Sequence, residues 1–331
     1  MFFSLIIPVY NRPDEIQELL ESLTLQDYKD DFEVVVVEDG SSIPCRDVVT
    51  NYSNRLNISY YFKANSGPGD SRNFGMQQAK GDYFLIFDSD CVIPPHYLQS
   101  VANNLQAHYV DCFGGPDAAL DSFSDVQKAI NFAMTSFLTT GGIRGRSEKI
   151  EKFQPRSFNM GISKGAFLAS GGFGKIHPGE DPDLSIRLWK LGYTTSLFND
   201  SYVYHKRRID WQKFQIQVTK FGKARPILDK WHPEYKKITF LLPTLFMLGL
   251  VGSLILLLIN VQLFIYLYIL YFALVFVLAT VGNNNAKVGL LAVAAVFIQF
   301  YGYGTGYLTS FIKIHIFKEE PKNAFPELFF K

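Results

Sequence analysis

Tyr83-Phe84-Leu85-Ile86-Phe87-Asp88-Ser89-Asp90 is the stretch on which the reading of this chain of 331 residues turns. Five consecutive apolar and aromatic residues with polar borders make a strand buried on both faces. In extended chain, residues two apart face the same way, so Asp88 and Asp90 present their carboxylates to one spot. Two carboxylates are costly to hold together without a cation. Hard oxygen donors favour Mg²⁺ or Mn²⁺, and Mg²⁺ usually shares its shell with substrate phosphates. An Asp-x-Asp alone is common in solvated turns; directly after such a strand it becomes more specific.

The same pattern extends outward. Residues 2–9 form a continuous apolar run, broken by Asn11-Arg12-Pro13-Asp14, where Pro13 suits a helix N-terminus. Ile16, Leu19, Leu20 and Leu23 follow at helical spacing. Residues 32–37 are a second buried run, ending at Glu38-Asp39-Gly40-Ser41. A helix is expected near 46–55, a strand over 58–62, and a helix over 70–79 after the turn Ser66-Gly67-Pro68-Gly69. Strands alternating with helices predict an α/β fold with a mostly parallel, helix-covered sheet. Ligands of such sheets bind beyond the carboxyl ends of the strands, where Tyr10-Asn11-Arg12, Glu38-Asp39 and Asp88-Ser89-Asp90 fall. No Gly-x-Gly-x-x-Gly follows the first strand and no P-loop occurs, so a dinucleotide or P-loop site is unsupported. A bound phosphate must be neutralised by something else.

A second acidic cluster, Gly179-Glu180-Asp181-Pro182-Asp183, opens a helix through Leu184, Ile186, Leu188 and Trp189. Acids there suit the helix dipole, so an N-cap competes with a general base as the reading. His205 ends a short apolar strand, and a neutral imidazole can join carboxylates on a metal. The other histidines, His177 and His315 among them, read as packed or surface residues.

Overall charge is balanced, 32 basic against 31 acidic residues, and only 19% of residues are charged while 48% are hydrophobic. That composition excludes a disordered chain and a strongly basic nucleic-acid binder. Three cysteines, Cys45, Cys91 and Cys112, are too few for a disulfide scaffold and read as free thiols of a reducing compartment. The balance conceals segregation. Residues 1–205 carry a net −8, residues 206–237 a net +7, and residues 238–312 hold one charged residue, Lys287. A bilayer crossing needs about 20 apolar residues, and 238–259, 263–281 and 288–312 each qualify. Three spans are expected. Three crossings from a cytoplasmic domain would leave Lys313, Lys318 and Lys322 outside, against the positive-inside tendency; a re-entrant or shallow third segment would resolve the conflict. Basic residues mixed with Trp211, Phe214, Phe221 and Trp231 suit an interfacial helix before the first span. The first ten residues lack a basic region and reach Pro8 early, unlike a signal peptide. The expectation is a multi-pass protein of the cytoplasmic (inner) membrane with its catalytic domain in the cytoplasm. Gly302-x-x-x-Gly306 permits close helix packing, either within the chain or in a homo-oligomer through the transmembrane helices.

Taken in order, residues 4–12, Val37-Glu38-Asp39-Gly40-Ser41, Gly67-Pro68-Gly69 with Arg72-Asn73 and Gly75, Phe87-Asp88-Ser89-Asp90 and Gly179-Glu180-Asp181 resemble a family 2 glycosyltransferase of the GT-A fold. The resemblance covers roughly residues 3–208. It implies that Pro8, Tyr10 and Asn11 touch the nucleotide, Asp39 binds the base, Arg72 holds the diphosphate or shapes its loop, and Asp88 contacts the ribose. It further implies Asp90 as ligand of Mg²⁺ or Mn²⁺ together with Asp88 and His205, Asp181 as general base with Glu180 beside it, and Asn159 lining the donor-sugar and acceptor pocket. The domains implied are residues 1–110 for the nucleotide-sugar half, 111–205 for the acceptor half, 206–237 for an interface segment, 238–312 for the spans and 313–331 for a tail. No Gln-x-x-Arg-Trp follows the base, as processive synthases usually have. The segment 217–225 instead resembles membrane glycosyltransferases of bacterial exopolysaccharide and capsule assembly. A polyprenyl-linked acceptor is then expected, its pyrophosphate attracted by Arg207, Arg208, Lys220, Lys223 and Arg225. A polyprenyl-phosphate glycosyltransferase is the alternative; a processive synthase and a non-catalytic scaffold follow it. The loop with Gly141-Gly142 and Arg144-Gly145-Arg146 is expected to be an acceptor lid.

Overall fold

A computed structural model describes residues 1–118, 123–140, 152–205 and 210–330. The chain forms two compact units. One comprises Met1–Ala118, Ser147–Lys206 and Phe329–Lys331; the other comprises Ala119–Arg146 and Arg207–Leu328. Arg207, Arg208 and the expected lid around 141–146 lie outside the described residues.

The first unit begins β1 (Phe3–Val9), α1 (Pro13–Leu23), β2 (Phe32–Asp39), α2 (Arg46–Thr50), β3 (Ile58–Lys63), α3 (Pro68–Gln78) and β4 (Tyr83–Phe87). It continues with β5 (Cys91–Val92), α4 (Tyr97–Ala107), β6 (Cys112–Gly114) and β7 (Asp117–Ala118). The chain then forms α5 (Asp125–Thr135) and α6 (Phe137–Thr140) of the second unit, and returns as β8 (Asn159–Ser163), α7 (Lys164–Ser170), α8 (Glu180–Lys190), β9 (Thr195–Leu197) and β10 (Val203–His205). Seven strands make one sheet in the order β3-β2-β1-β4-β8-β6-β9. β3, β2, β1 and β4 run parallel, and β8 is antiparallel to both β4 and β6.

The central strands are apolar throughout because both faces are covered. Leu5, Ile7, Val34, Val36, Leu85 and Phe87 enter one core, while Ile6, Val35, Val37, Phe84 and Ile86 enter the other. That split follows from the two-residue period of a strand. α3 lies close on the second face because Gly75 allows it. A Cβ there would stand 2.7 Å from Ile6 Cγ2 and 3.1 Å from Val37 Cγ2. A smaller sheet, β5-β10-β7, pairs His205 with Cys91 in antiparallel register. This pairing carries His205 across more than a hundred residues to the Asp-x-Asp turn.

The second unit holds α5, α6, α9 (Trp211–Trp231), α10 (Leu242–Leu258), α11 (Leu263–Asn283) and α12 (Ala286–Phe311). Among the described residues, three helical stretches are long and apolar enough to cross a membrane: Ile238–Leu258, Leu263–Asn283 and Ala286–Ile316. Within the apolar 18-residue core of each, only 11% of the first two is buried, against 44% of the third. α12 is the hub of this unit. Small residues on its different faces admit different neighbours: Gly289 meets Phe276 of α11, Gly304 meets Pro243 and Thr244 of α10, and Gly302 and Gly306 meet Val218 and Thr219 of α9. The Gly-x-x-x-Gly motif therefore packs within the chain, against α9.

Candidate active site

The carboxyl ends of β1, β2 and β4 deliver the expected residues to one edge of the sheet. β4 and β1 are neighbours, so the turn after β4 lies beside the turn after β1. Arg12, at the N-cap of α1, reaches across. Its Nη1 donates to Asp90 Oδ2 at 2.6 Å. The other Asp90 oxygen stands 3.2 Å from His205 Nε2. Burial alone would raise this carboxyl, but His205 and Arg12 outweigh it and hold Asp90 well below the usual carboxylate range. His205 is fixed by stacking on Phe158, ring centroids 4.8 Å apart.

Arg72 of α3 is almost wholly buried, 3% exposed, and links two carboxylates. Its Nη2 donates to Asp88 Oδ1 at 2.7 Å and its Nη1 to Glu180 Oε1 at 3.3 Å. The guanidinium also lies over the Phe173 ring, 5.3 Å from its centroid. Glu180 Oε1 takes a second contact, 2.7 Å from His177 Nδ1. His177, read from sequence as packed or surface, is therefore part of this network.

Asp181, next in the chain, faces the opposite conditions. Ser157 N donates to its Oδ2 at 3.2 Å, while its Oδ1 is buried with no hydrogen-bond partner among the described residues. Burial, and then the negative charge of Glu180, push its carboxyl up to about 6. Glu180 moves the other way. Its burial penalty is outweighed by His177 and Arg72, which lower its pKa. Two adjacent carboxyls with opposed shifts are the arrangement in which one acts as a base and the other as a fixed charge.

The remaining expected residues divide by what they touch. Tyr10 is exposed and Pro8 is buried at the end of β1. Asn11 takes a left-handed φ of 54°, and its Oδ1 accepts from Ser42 N at 2.8 Å and Ile43 N at 3.0 Å. Asn11 thus ties the β1 and β2 ends together. Asp39 is committed to the loop leading into α3: Oδ1 accepts from Lys63 Nζ at 2.7 Å and Ser66 N at 3.0 Å, and Oδ2 from Gly67 N at 2.9 Å. Asn159 is wholly buried. Its Oδ1 accepts from Tyr97 Oη at 2.6 Å and its Nδ2 donates to Ser201 O at 2.8 Å. Its amide braces β8 against α4 and the segment before β10, so the structure does not bring that side chain together with the acidic groups. On α9, Lys223 pairs with Glu327 at 2.8 Å and Arg225 lies 4.1 Å from the Phe240 ring centroid, while Lys220 is half-buried.

Asp90, Cys91 and His205 place their ligand atoms within 4.8 Å of one another. Asp90 Oδ1 and His205 Nδ1 are buried with no hydrogen bond among the described residues. Unsatisfied buried donors and acceptors of this kind fit a cation site. Cys91 fits poorly, because burial keeps its thiol protonated and its Sγ contacts Phe158 O at 3.5 Å. Asp90 and His205 offer a carboxylate and an imidazole that suit Mg²⁺ or Mn²⁺; the half-buried Asp88 is held by Arg72 and is not among these clustered ligand atoms.

A largely parallel sheet with an acidic turn after its fourth strand and a carboxylate pair at the head of α8 defines a GT-A type fold. Residues 4–168 match the family model "Glycosyl transferase family 2", and the chain carries a domain of that family. It is 42% identical over 114 residues to poly(ribitol-phosphate) beta-N-acetylglucosaminyltransferase TarS of Staphylococcus aureus, a match covering 34% of this chain and 20% of TarS. The chain thus spans about a fifth of the length of the curated relatives it matches first. Among solved structures, mannosyltransferase PcManGT from Pyrobaculum calidifontis, in complex with GDP-Man and Mn²⁺, shares the fold at a TM-score of 0.58 and 17% identity, over 96% of this chain and 88% of that one. S. aureus TarS 1-349 in complex with UDP-GlcNAc does so at 0.51 and 20%, over 93% and 91%.

Proposed function

We propose that the chain is a metal-dependent, inverting glycosyltransferase that moves a sugar from a nucleotide-sugar donor to a polyprenyl-linked saccharide at the cytoplasmic face of the membrane. The observation that carries this reading is Asp181, whose one oxygen is held by Ser157 N while the other is buried and unpartnered among the described residues. Such a carboxylate has a lone pair oriented by its neighbour and nothing yet to accept from. A pKa near 6 leaves it ionised at neutral pH and more basic than an ordinary aspartate.

In this reading Asp88, Asp90 and His205 hold the divalent cation, which when bound supplies compensation for charge on the departing diphosphate. Arg72 keeps Asp88 in place on one side and Glu180 on the other, so the donor side and the base side share one rigid cation. Glu180 stays ionised and raises the basicity of Asp181 through its charge. Asp181 takes the proton from the acceptor hydroxyl as that oxygen attacks the anomeric carbon from the face opposite the diphosphate. One displacement inverts the configuration, and no covalent nucleophile is required. That PcManGT binds GDP-Man and Mn²⁺ and TarS binds UDP-GlcNAc supports a nucleotide-sugar donor and a cation here as well. Three apolar helices support a membrane-bound acceptor, with Lys220, Lys223 and Arg225 of α9 near its phosphates.

The test is Asp181→Asn in detergent-purified full chain, with donor binding and transfer measured separately. Donor affinity stays within a few-fold, while turnover falls by about 10²–10⁴-fold, the usual weight of a general base. Undiminished turnover would move the assignment to a lipid-phosphate acceptor, which needs little base assistance. A nucleotide-sugar screen for metal-dependent hydrolysis identifies the donor.

A further inference from the structure

We infer that the chain crosses the membrane twice, out through α10 and back through α11, and that α12 lies along the cytoplasmic surface with its exposed stripe in the acyl region of that leaflet. The inference rests on the membrane reading above and changes its topology.

Counted by length and composition, α12 and the turn after it are a third span of 31 residues. Its neighbours make a crossing untenable. From Gly302 onward it is paired with α9 at backbone distance. A Cβ on Gly302 would stand 2.7 Å from Val218 Cγ2, and one on Gly306 3.2 Å from Lys223 N. Further along, His315 Nε2 meets Pro226 O at 2.9 Å and Lys230 Nζ meets Glu319 O at 3.4 Å. The contacts advance together along both helices, so the two run side by side in the same direction. α9 carries Lys213, Lys220, Lys223, Arg225, Asp229 and Lys230. A helix with that many charges does not sit in hydrocarbon. The part of α12 beside it therefore does not sit there either.

What remains, residues 286–301, spans roughly 24 Å at 1.5 Å per residue, short of the roughly 30 Å hydrocarbon core. That part is also flanked by the short amphipathic helix α5. Lys287 Nζ pairs with Asp125 of α5 at 3.0 Å. Ala129, Ile130, Ala133 and Met134 of α5 share a core with Ala292, Ala295 and Val296 of α12, and this core also takes in Val275 and Ala279 from the returning half of α11. α5 has 11 residues, too few to cross. Both ends of α12 are thus held by helices that stay at the surface.

The exposed residues of α12 agree. Leu290, Phe297, Tyr301 and Leu308 recur at intervals of seven, four and seven, one stripe along the helix. α10 and α11 instead expose apolar residues on nearly all sides, as spans facing lipid do. Two crossings also place Lys313, Lys318 and Lys322 on the same side as the lysines of α9, as the positive-inside rule requires.

The experiment uses the full chain in sealed right-side-out and inverted vesicles, labelled with a membrane-impermeant maleimide at Val261→Cys, Ala286→Cys or Glu320→Cys. The three native cysteines are buried. Two crossings make Ala286→Cys and Glu320→Cys react only in inverted vesicles and Val261→Cys only in right-side-out ones. Reaction of Ala286→Cys and Glu320→Cys from opposite faces restores the third span and overturns the inference. Reaction of all three from one face also overturns it, because the hairpin then fails to cross. Recovery of the chain in the soluble fraction instead sinks the membrane reading itself.

Discussion

Asp181 and Glu180 are adjacent in sequence and opposed in electrostatics, and pH separates them. With Asp181 pushed up to about 6 by burial and then by Glu180, kcat/KM falls about tenfold per unit as pH drops below that value, because the base must be ionised. A profile flat down to pH 4.5 would remove Asp181 from that role. Stability runs the other way. Between its ordinary value and about 6 the folded state keeps a proton that the unfolded chain has released, so this group's contribution is present at low pH and lost as pH rises through about 6. Asp181→Asn therefore melts no lower than the parent at pH 7.5, and its advantage narrows as pH falls through 6; calorimetry reads both. Arg72 is the opposite case, a buried cation between Asp88 and Glu180. Arg72→Ala leaves a carboxylate buried without its partner and costs about 3–5 kcal/mol of stability by denaturant titration, besides its loss of donor binding. The acidic residues were legible because each ends a strand or opens a helix, positions with chemical meaning before any contact is known. Arg12 and His177 were not. Their importance lies in partners that only the fold supplies, Asp90 across the β1–β4 edge and Glu180 across the turn that leads into α8, and a single sequence does not register which side chains meet.

At the scale of elements, the strands of the first unit were readable because burial on both faces leaves an uninterrupted apolar run. The runs locate the strands, while their order β3-β2-β1-β4 is supplied by the structure. The pairing of β10 with β5 was not readable at all, since strands of three and two residues carry almost no pattern and only tertiary placement selects their register. In the second unit the glycine motif was visible but its partner was not. The structure supplies α9, and that makes a prediction with an internal control. Gly222→Val would drive a side chain into Tyr303 O, and Gly306→Val into Thr219 O. Both carry a backbone-against-backbone contact that has no rotamer to yield. Each variant should lose its sharp melting transition in detergent and expose α9 to protease. Gly252→Ala and Gly282→Ala, with nothing within 4 Å of the added Cβ, should melt within about 2 °C of the parent, as surface substitutions do. Equal damage at all four positions would mean that helix propensity, and not the α9–α12 contact, governs this unit.

For the whole molecule the near-zero net charge is a cancellation between an acidic catalytic region and a basic α9 region. In the proposed membrane arrangement two forces with different salt dependence hold the chain. Apolar burial of α10 and α11 is indifferent to ionic strength, whereas each lysine near an anionic surface contributes about 1 kcal/mol at low salt, screened over roughly 3 Å at 1 M. Raising salt to that level should leave the chain in the membrane pellet while raising the KM for a polyprenyl-linked acceptor. Lys213→Gln combined with Lys220→Gln should reproduce the KM increase at low salt and remove most of its salt dependence. Both lysines belong to α9 and neither is a group assigned to the chemistry, so kcat at saturating acceptor stays close to the parent. If salt alone releases the protein, α10 and α11 are not its anchor. If KM ignores both salt and the substitutions, the basic region serves packing against α12 and the acceptor's charge is read elsewhere.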